Sequence, residues 1–224
     1  MKQLIRSLAF IGAASAALPA LAAELPQSAV LKYSGSYGIP ATMTFTRNGN
    51  NYTIVSHIKV PLYSIRFESG GTISGNVLKP AYYRDVRGGK TYAEARFNGN
   101  QITYGKINEQ KTETVSGPAM DLFTLAWQLA ANDAKLPAGL KITNGKKLYS
   151  VGGLSKTGSA QYRFSGGKTQ VENYRVNRGD STVNYSFATA IDNIPAQISY
   201  SDDGKTYNLK LTSVSINGKV VTPN

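Results

Sequence analysis

Two short fragments carry the residue types of a serine acyl transferase. Ser165 and Lys168 have the spacing Ser-x-x-Lys, and residues 156–158 read Lys-Thr-Gly. In enzymes that use both fragments, the serine and the lysine meet one helical turn apart, and Lys-Thr-Gly follows later on a strand. Here the order is reversed, and the two glycines between Ser165 and Lys168 indicate a hairpin turn. We therefore predict no catalytic residue in these fragments.

Metal and acid–base chemistry have few candidate residues in this chain. His57 is the single histidine, and there is no cysteine. A site that needs several imidazoles or thiolates cannot be completed. The adjacent acids Asp202 and Asp203 precede a glycine, and Asp is favoured in turns for local backbone reasons. The sequence predicts a non-enzymatic protein without metal or cofactor, with His57 on a strand surface; a hydrolase is the third-ranked hypothesis.

Aromatic and basic residues interleave in one segment, at Tyr82, Tyr83, Arg84, Arg87 and Arg96. Tyrosine rings offer stacking faces with a polar edge, and arginine pairs with carboxylate or phosphate groups. These residues predict a surface for an anionic polysaccharide or a lipid headgroup. The formal net charge of +12 also favours anionic partners. The basic residues are spread singly along the chain, so no nucleic-acid interface is predicted.

The first residues have the layout of a secretory signal peptide. A basic start with Lys2 and Arg6 precedes an apolar run and the small residues Ala20-Leu21-Ala22. We expect residues 1–22 to be removed between Ala22 and Ala23, within one residue, and the protein to be periplasmic or secreted. Without cysteine no lipid anchor is predicted, and without a second long apolar segment no stable membrane insertion is predicted.

Apolar and polar residues alternate along most of the chain after Ser28, which is the pattern of half-buried strands. Glycine and asparagine pairs between these runs indicate tight reversals at 48–51, 70–71, 88–89, 98–100, 152–153, 166–167, 177–180, 202–204 and 217–218. The prediction is a mainly β fold over residues 24–224. It is one domain made of a large curved antiparallel sheet, an open barrel-like meander, around a single α-helix.

The helix is predicted at about residues 119–132. Its polar positions form one narrow stripe, namely Asp121, Thr124, Gln128 and Asn132, and apolar residues cover the rest of the circumference. Asp121 is expected to cap the helix, and a charged residue at Gln128 is expected to be tolerated. The wide apolar face should pack on the concave side of the sheet as a plug or a lid.

Two roles for this helix remain open at the level of sequence. It could simply fill the core, or it could line a ligand cavity with Met120, Phe123 and Trp127 among the lining residues. The second role would suit an apolar or amphipathic partner such as a lipid or an acylated protein.

Four segments together are similar to a known bacterial exported family, domain of unknown function 3108. They are LKYSGSYGIPATMTF, LKPAYYRDVRGGKTYAEARFN, DLFTLAWQLA and IPAQISYSDDGKTYNLKLTSV, and they cover most of the predicted mature chain. The resemblance implies an exported protein with a large curved antiparallel sheet embracing a helix. It implies no established activity and no catalytic residues.

The leading hypothesis is a non-enzymatic envelope protein that binds a lipid or acylated partner beside the helix. The alternative is a periplasmic adaptor that binds polysaccharide or another anionic polymer through its basic and aromatic outer surface.

Overall fold

Sixteen strands and one α-helix make up the part of the chain that the computed structural model describes, residues 25–223 apart from residues 62 and 203. The predicted signal peptide and its cleavage site at Ala22 and Ala23 lie outside the described residues. In the described part, no helix has the length and apolar character needed to cross a membrane.

The elements follow one another along the chain with short connections. They are β1 (Ser28–Gly35), a 3-10 turn (Ser36–Gly38), β2 (Pro40–Asn48), β3 (Asn51–Val60), β4 (Tyr63–Ser74), β5 (Val77–Arg87), β6 (Lys90–Asn98), β7 (Gln101–Lys106), β8 (Lys111–Thr114), β9 (Ala119–Asp121), α1 (Leu122–Ala131), β10 (Lys141–Thr143), β11 (Leu148–Phe164), β12 (Gly167–Arg178), β13 (Ser181–Ala188), β14 (Ile194–Asp202), β15 (Lys205–Ile216) and β16 (Lys219–Val221).

The strands form one large curved sheet that does not close on itself by strand pairing within the described residues. Strands β1 to β8 are neighbours in chain order, β15 to β9 are neighbours in reverse order, and the pairing of β1 with β15 joins the two halves. The strands at the two ends of this path are β8 and β9, and the short strand β16 lies off the path and pairs with β15. All pairs are antiparallel except β9 with β10. The predicted fold class, a mainly β curved sheet around one helix, is confirmed.

Alternation and turn chemistry explain most of the strands. Val183, Tyr185 and Phe187 share a face of β13 and are all buried, as the alternation predicts. Tight turns carry glycine at positive φ, for example Gly49 between β2 and β3 and Gly99 between β6 and β7.

Two of the predicted reversals are wrong, because their glycines lie inside strands. Gly70 and Gly71 sit in the middle of β4, and residues 152–153 lie in β11. In both places the pairing register shifts by one residue. A Cβ on Gly71 would lie 2.0 Å from the carbonyl oxygen of Lys79, so this glycine permits a close approach of two backbones rather than a turn.

Helix α1 begins after its cap, as predicted. The Asp121 carboxylate accepts hydrogen bonds from the backbone N–H groups of Phe123 (2.9 Å) and Thr124 (3.0 Å). The predicted range of 119–132 is slightly too long, since residues 119–121 form β9, which pairs with β10.

The polar stripe of α1 does not face solvent, so the expectation that a charge at Gln128 would be tolerated is wrong. Every residue of α1 is buried. The Gln128 side chain accepts a hydrogen bond from the backbone N–H of Leu78 (2.7 Å) and donates one to the carbonyl of Asn76 (2.9 Å). The polar stripe therefore fixes the helix to the turn between β4 and β5.

Asp121 gives the fold a specific pH dependence. Burial raises the pKa of its carboxyl above the ordinary value near 3.8, although the hydrogen bonds from Thr124 and Phe123 oppose that effect. The folded protein then binds this proton more tightly than the unfolded chain does. Protonated Asp121 contributes its full stabilisation at pH values below the pKa that this carboxyl has in the unfolded chain. The stabilisation is lost as the pH rises through the higher pKa that the carboxyl has in the folded protein.

The variant Asp121→Asn keeps an acceptor oxygen for the helix cap but has no proton to lose. We expect the stability advantage of the wild type over this variant to shrink as the pH rises from about 4 to about 7. Urea melts of both proteins across that range measure the difference. A difference that is constant with pH, or one that grows as the pH rises, would contradict the burial effect.

Candidate functional site

A cleft opens into the concave side of the sheet at the amino-terminal end of α1. Its apolar part has a volume of about 530 Å³ and reaches the 3-10 turn, and its polar part has a volume of about 320 Å³. The two parts are contiguous because they share lining residues from β3, β4, α1, β14 and β15, namely Ile58, Ile65, Phe67, Phe123, Tyr200, Tyr207 and Leu209.

The strand pattern explains why these side chains meet. Ile58 and Ile65 are direct partners in the antiparallel pair of β3 and β4, so both point to the concave side. Tyr200 and Tyr207 are partners in the same way in β14 and β15, and their rings stack with centroids 5.1 Å apart. The first turn of α1 supplies Phe123 between these two hairpins.

The aromatic rings form a continuous inner wall of the cleft. The ring centroid of Phe67 lies 5.3 Å from that of Phe123 and 6.3 Å from that of Tyr83. Phe123 and Tyr83 are buried, whereas Ile58, Ile65 and Phe67 are only partly buried. Apolar surface is thus left facing the cleft instead of being covered by other parts of the protein.

Exposed aromatic residues stand at the mouth of the apolar part. Tyr37 lies in the 3-10 turn with its side chain fully exposed, and its φ of 60° is in the left-handed region. Tyr207 is 41% exposed and also lines this part of the cleft. A fully exposed tyrosine in this conformation contributes little to packing.

The polar part contains an ion pair between the buried Asp85 and the partly exposed Arg87. Asp85 is 2% exposed, and its carboxylate accepts hydrogen bonds from Arg87 Nε (3.0 Å) and Arg87 Nη2 (2.8 Å). The hydrogen bond to Asp85 raises the pKa of Arg87, so the guanidinium stays charged. Tyr92, Thr143 and Lys146 line the same part of the cleft.

The turn between β10 and β11 closes one side of this polar part. The N–H of Gly105 donates a hydrogen bond of 2.8 Å to the carbonyl of Gly145, which links this turn to β7. Gly145 has a φ of 83°, and a Cβ there would lie 2.8 Å from the Tyr83 ring. The turn can approach the inner wall because this residue is glycine.

Of the three helix-region residues predicted for a cavity, one borders the cleft. Phe123 lines both of its parts. Trp127 is 1% exposed and packs on Phe45 with ring centroids 4.5 Å apart, and Met120 is likewise 1% exposed. Trp127 and Met120 therefore belong to the core below the cleft and do not line it.

The predicted anionic-ligand surface is split between the two faces of the sheet. Tyr83 and Arg87 point into the cleft. Arg84 lies on the opposite, outer face, where it stacks over the Tyr82 ring at 5.1 Å. Arg96 is on the outer face as well.

Acidic residues offset the basic charge on that outer face. Glu94 lies 3.0 Å from Arg96 and 3.9 Å from Arg84, and Glu68 lies 4.0 Å from Arg84. The five residues thus do not form one basic patch.

The fragments that resembled catalytic motifs take part in ordinary local structure. Ser165 occupies the turn between β11 and β12, and its hydroxyl donates to the carbonyl of Thr212 at 3.2 Å. Lys156 lies in β11 and pairs with Glu172. His57 is half-buried on the outer face of β3. The described residues contain no group of three or more His, Cys, Asp or Glu side chains that could hold a metal ion.

Sequence reasoning missed most of the cleft, including Ile58, Ile65, Tyr200 and Tyr207 as binding residues. Alternation assigns residues to one face of a strand, but it gives no sign of whether that face stays partly uncovered.

No family model matches this sequence, and no curated protein matches it either. A solved structure does have a similar fold: the crystal structure of a β-barrel-like protein of domain of unknown function DUF1849 from Brucella abortus. The TM-score is 0.53 at 11% sequence identity, over 87% of this chain and 99% of that chain. The likeness supports a barrel-like curved sheet as the shared fold. Membership of domain of unknown function 3108 stays a prediction.

Proposed function

We propose that this protein binds the acyl chain of a lipid or of an acylated protein in the cleft beside α1, without catalysing a reaction. The observation that carries the proposal is the open apolar part of about 530 Å³. Protein interiors are normally packed to the density of organic crystals, and ligand sites typically have volumes of about 300–1,000 Å³. A cleft of this size with apolar walls suits an apolar chain.

The partly covered side chains support the same proposal. Ile58, Ile65 and Phe67 face the cleft and keep part of their apolar surface in water when it is empty. Burial of apolar surface stabilises a complex by about 25 cal/mol per Å². An acyl chain that enters the cleft removes this surface from water together with its own.

The predicted export of the chain places this binding in the cell envelope or outside the cell. Acyl chains of lipids and acylated proteins are abundant there and need carriers or receptors because they are insoluble in water. The net charge of +12 is compatible with approach to anionic membrane surfaces. We therefore propose an envelope role, in agreement with the resemblance to the exported family.

The test is calorimetric titration of delipidated protein with dodecanoate below its micelle concentration. The wild type should bind one molecule, and each CH₂ removed from the chain should weaken binding about fourfold, which is about 0.8 kcal/mol. The variant Ile65→Asp should bind dodecanoate at least about tenfold more weakly, because the acyl chain would displace the water that solvates the introduced carboxylate.

A matched control is Thr53→Asp, an exposed position on the outer face of the neighbouring strand β3. It should bind dodecanoate like the wild type. Equal binding by the wild type and the folded Ile65→Asp variant would contradict a site in the cleft. Retention on an anionic polysaccharide with no binding of dodecanoate would favour the adaptor hypothesis instead.

A further inference from the structure

One long edge of the sheet, on strand β11, has no partner strand among the described residues. Strand β12 pairs with β11 on one side, but on the other side β10 covers only Leu148 to Ser150. The next contact on that side is a hydrogen bond of 3.2 Å from the N–H of Val151 to the carbonyl of Leu140. Beyond Val151, no backbone group in the part of the chain that the structure describes pairs with this side of β11.

The open edge, residues 155–161, is accessible to an added strand. Every residue in it is exposed. Alternate residues of an edge strand turn both their N–H and C=O groups away from the sheet, so β11 presents a row of unpaired donors and acceptors. Charged side chains and proline are common means of blocking such an edge. The side chains from Thr157 to Tyr162 are uncharged and include no proline.

The ladder between β11 and β12 is regular along part of this edge. The register shifts between Lys156 and Gly158, and from Gly158 to Phe164 every residue pairs in sequence with β12. Residues 158–163 therefore form an extended run without a bulge, about the usual length of a strand. No residue of β11 is among those that line the cleft, so this edge is a separate surface.

The charge around the open edge is positive and is not balanced by nearby acids. Strands β11 and β12 contain five basic residues and one acid, Glu172, which pairs with Lys156. Arg163 and Lys168 are exposed and are direct partners in the ladder, so two like charges lie opposite each other on one face. Neither pairs with a carboxylate among the described residues. Acidic groups beside this edge would relieve the repulsion.

We propose that the open edge of β11 binds an acidic, extended peptide segment of a partner protein as an added strand. Backbone hydrogen bonds to residues 158–163 hold the segment, and its carboxylates lie beside Arg163 and Lys168. Charge complementarity favours this partner over a second copy of the chain. Self-pairing would bring together two edges whose strands each carry five basic residues and one acid. This inference does not depend on the acyl-chain proposal.

The experiment titrates the purified protein into a fluorescently labelled peptide, Thr-Glu-Val-Glu-Val-Glu-Val-Thr, and follows the anisotropy. In the matched peptide, lysine replaces each glutamate. The wild type should bind the acidic peptide at least about tenfold more tightly than the basic one, because like charges at an interface are strongly unfavourable. Sodium chloride at about 0.5 M should weaken the binding, because the charges are exposed and salt screens them.

Methylation of the peptide backbone distinguishes strand addition from simple charge attraction. Two further peptides carry N-methyl groups, one at its three glutamates and the other at its three valines. Alternate N–H groups of a strand point to opposite sides, so only one of these peptides has its pairing groups blocked. That peptide should bind at least about tenfold more weakly than the unmodified one, and the other within about threefold of it. Equal affinities of the two methylated peptides would contradict strand addition.

The double variant Arg163→Glu/Lys168→Glu reverses the charge beside the edge at two exposed positions. It should lose the preference for the acidic peptide, because carboxylates would then face carboxylates. The matched control is Lys59→Glu/Lys90→Glu, which changes the net charge equally at exposed positions of β3 and β6. This control should keep the preference of the wild type.

Three results would overturn the proposal. The first is a wild type that binds neither peptide, and the second is a preference for the acidic peptide that persists in Arg163→Glu/Lys168→Glu. The third concerns self-association, since sedimentation equilibrium should show the wild type as a monomer. A dimer whose β11 amides are protected from hydrogen exchange would assign the edge to a second copy of the chain.

Discussion

Replacement of Trp127 by alanine is expected to lower the free energy of unfolding by about 3–5 kcal/mol. The indole is 1% exposed and lies in the core below the cleft, with its ring centroid 4.5 Å from that of Phe45. Truncation removes buried apolar surface and leaves a cavity that a rigid curved sheet cannot fill by collapsing. Urea denaturation followed by far-ultraviolet circular dichroism measures the loss without relying on tryptophan fluorescence.

The control for this prediction is Trp127→Phe. The indole Nε1 is buried and has no hydrogen-bond partner among the described residues, so phenylalanine removes an unsatisfied donor while it keeps most of the volume. We expect a loss of only about 1–2 kcal/mol. Equal losses for the two variants, or a loss below about 1 kcal/mol for alanine, would contradict the burial of this residue.

Replacement of Gln128 by lysine should be as damaging, although the residue is polar. Its side chain is 1% exposed, and its amide satisfies the N–H of Leu78 and the carbonyl of Asn76. A lysine cannot accept from Leu78, and its charge would be buried beside the β4–β5 turn. We expect a loss of about 3–5 kcal/mol, the range seen for uncompensated buried charge.

The same substitution one turn later is the matched control. Asn132 belongs to the same polar stripe but is only half-buried at the carboxyl end of α1, where a positive charge favours the helix dipole. Asn132→Lys should change stability by no more than about 0.5 kcal/mol. Similar urea midpoints for Gln128→Lys and Asn132→Lys would contradict the bonded role of Gln128.

The strands and most of their turns could be predicted from local sequence because alternation and turn glycines act over a few residues. The glycine pairs at 70–71 and 152–153 could not be placed correctly. Gly71 permits a close approach of its backbone to that of Lys79 in the next strand, and local sequence cannot distinguish a glycine needed for such an approach from a glycine needed for a turn.

The helix shows the same limit. Its apolar circumference and its Asp121 cap were predicted, because both depend on residues within α1. The burial of Gln128 depends on the backbone at Asn76 and Leu78, about fifty residues earlier. The local pattern therefore predicts that Gln128 faces solvent, whereas the fold buries it and gives it hydrogen-bond partners.

The cleft was the least predictable feature, because it is the space on the concave side of the sheet that the side chains leave unfilled, and this depends on the packing of distant segments. Its walls come from two hairpins that lie about 140 residues apart in sequence and meet through the pairing of β1 with β15. Helix α1 fills the concave side at one end of the sheet, and Phe123 in its first turn marks where the filling stops. The space beyond Phe123 is the site proposed for an acyl chain.

The most direct test of that proposal is an isotope-edited nuclear Overhauser measurement between ¹³C-labelled dodecanoate and methyl-labelled isoleucines of the protein. The account predicts contacts from the chain to Ile58 and Ile65, which line the cleft, and none to Ile54 and Ile102, which are about 1% exposed in the core. Contacts confined to residues outside the cleft, or no contacts at saturating dodecanoate, would contradict it.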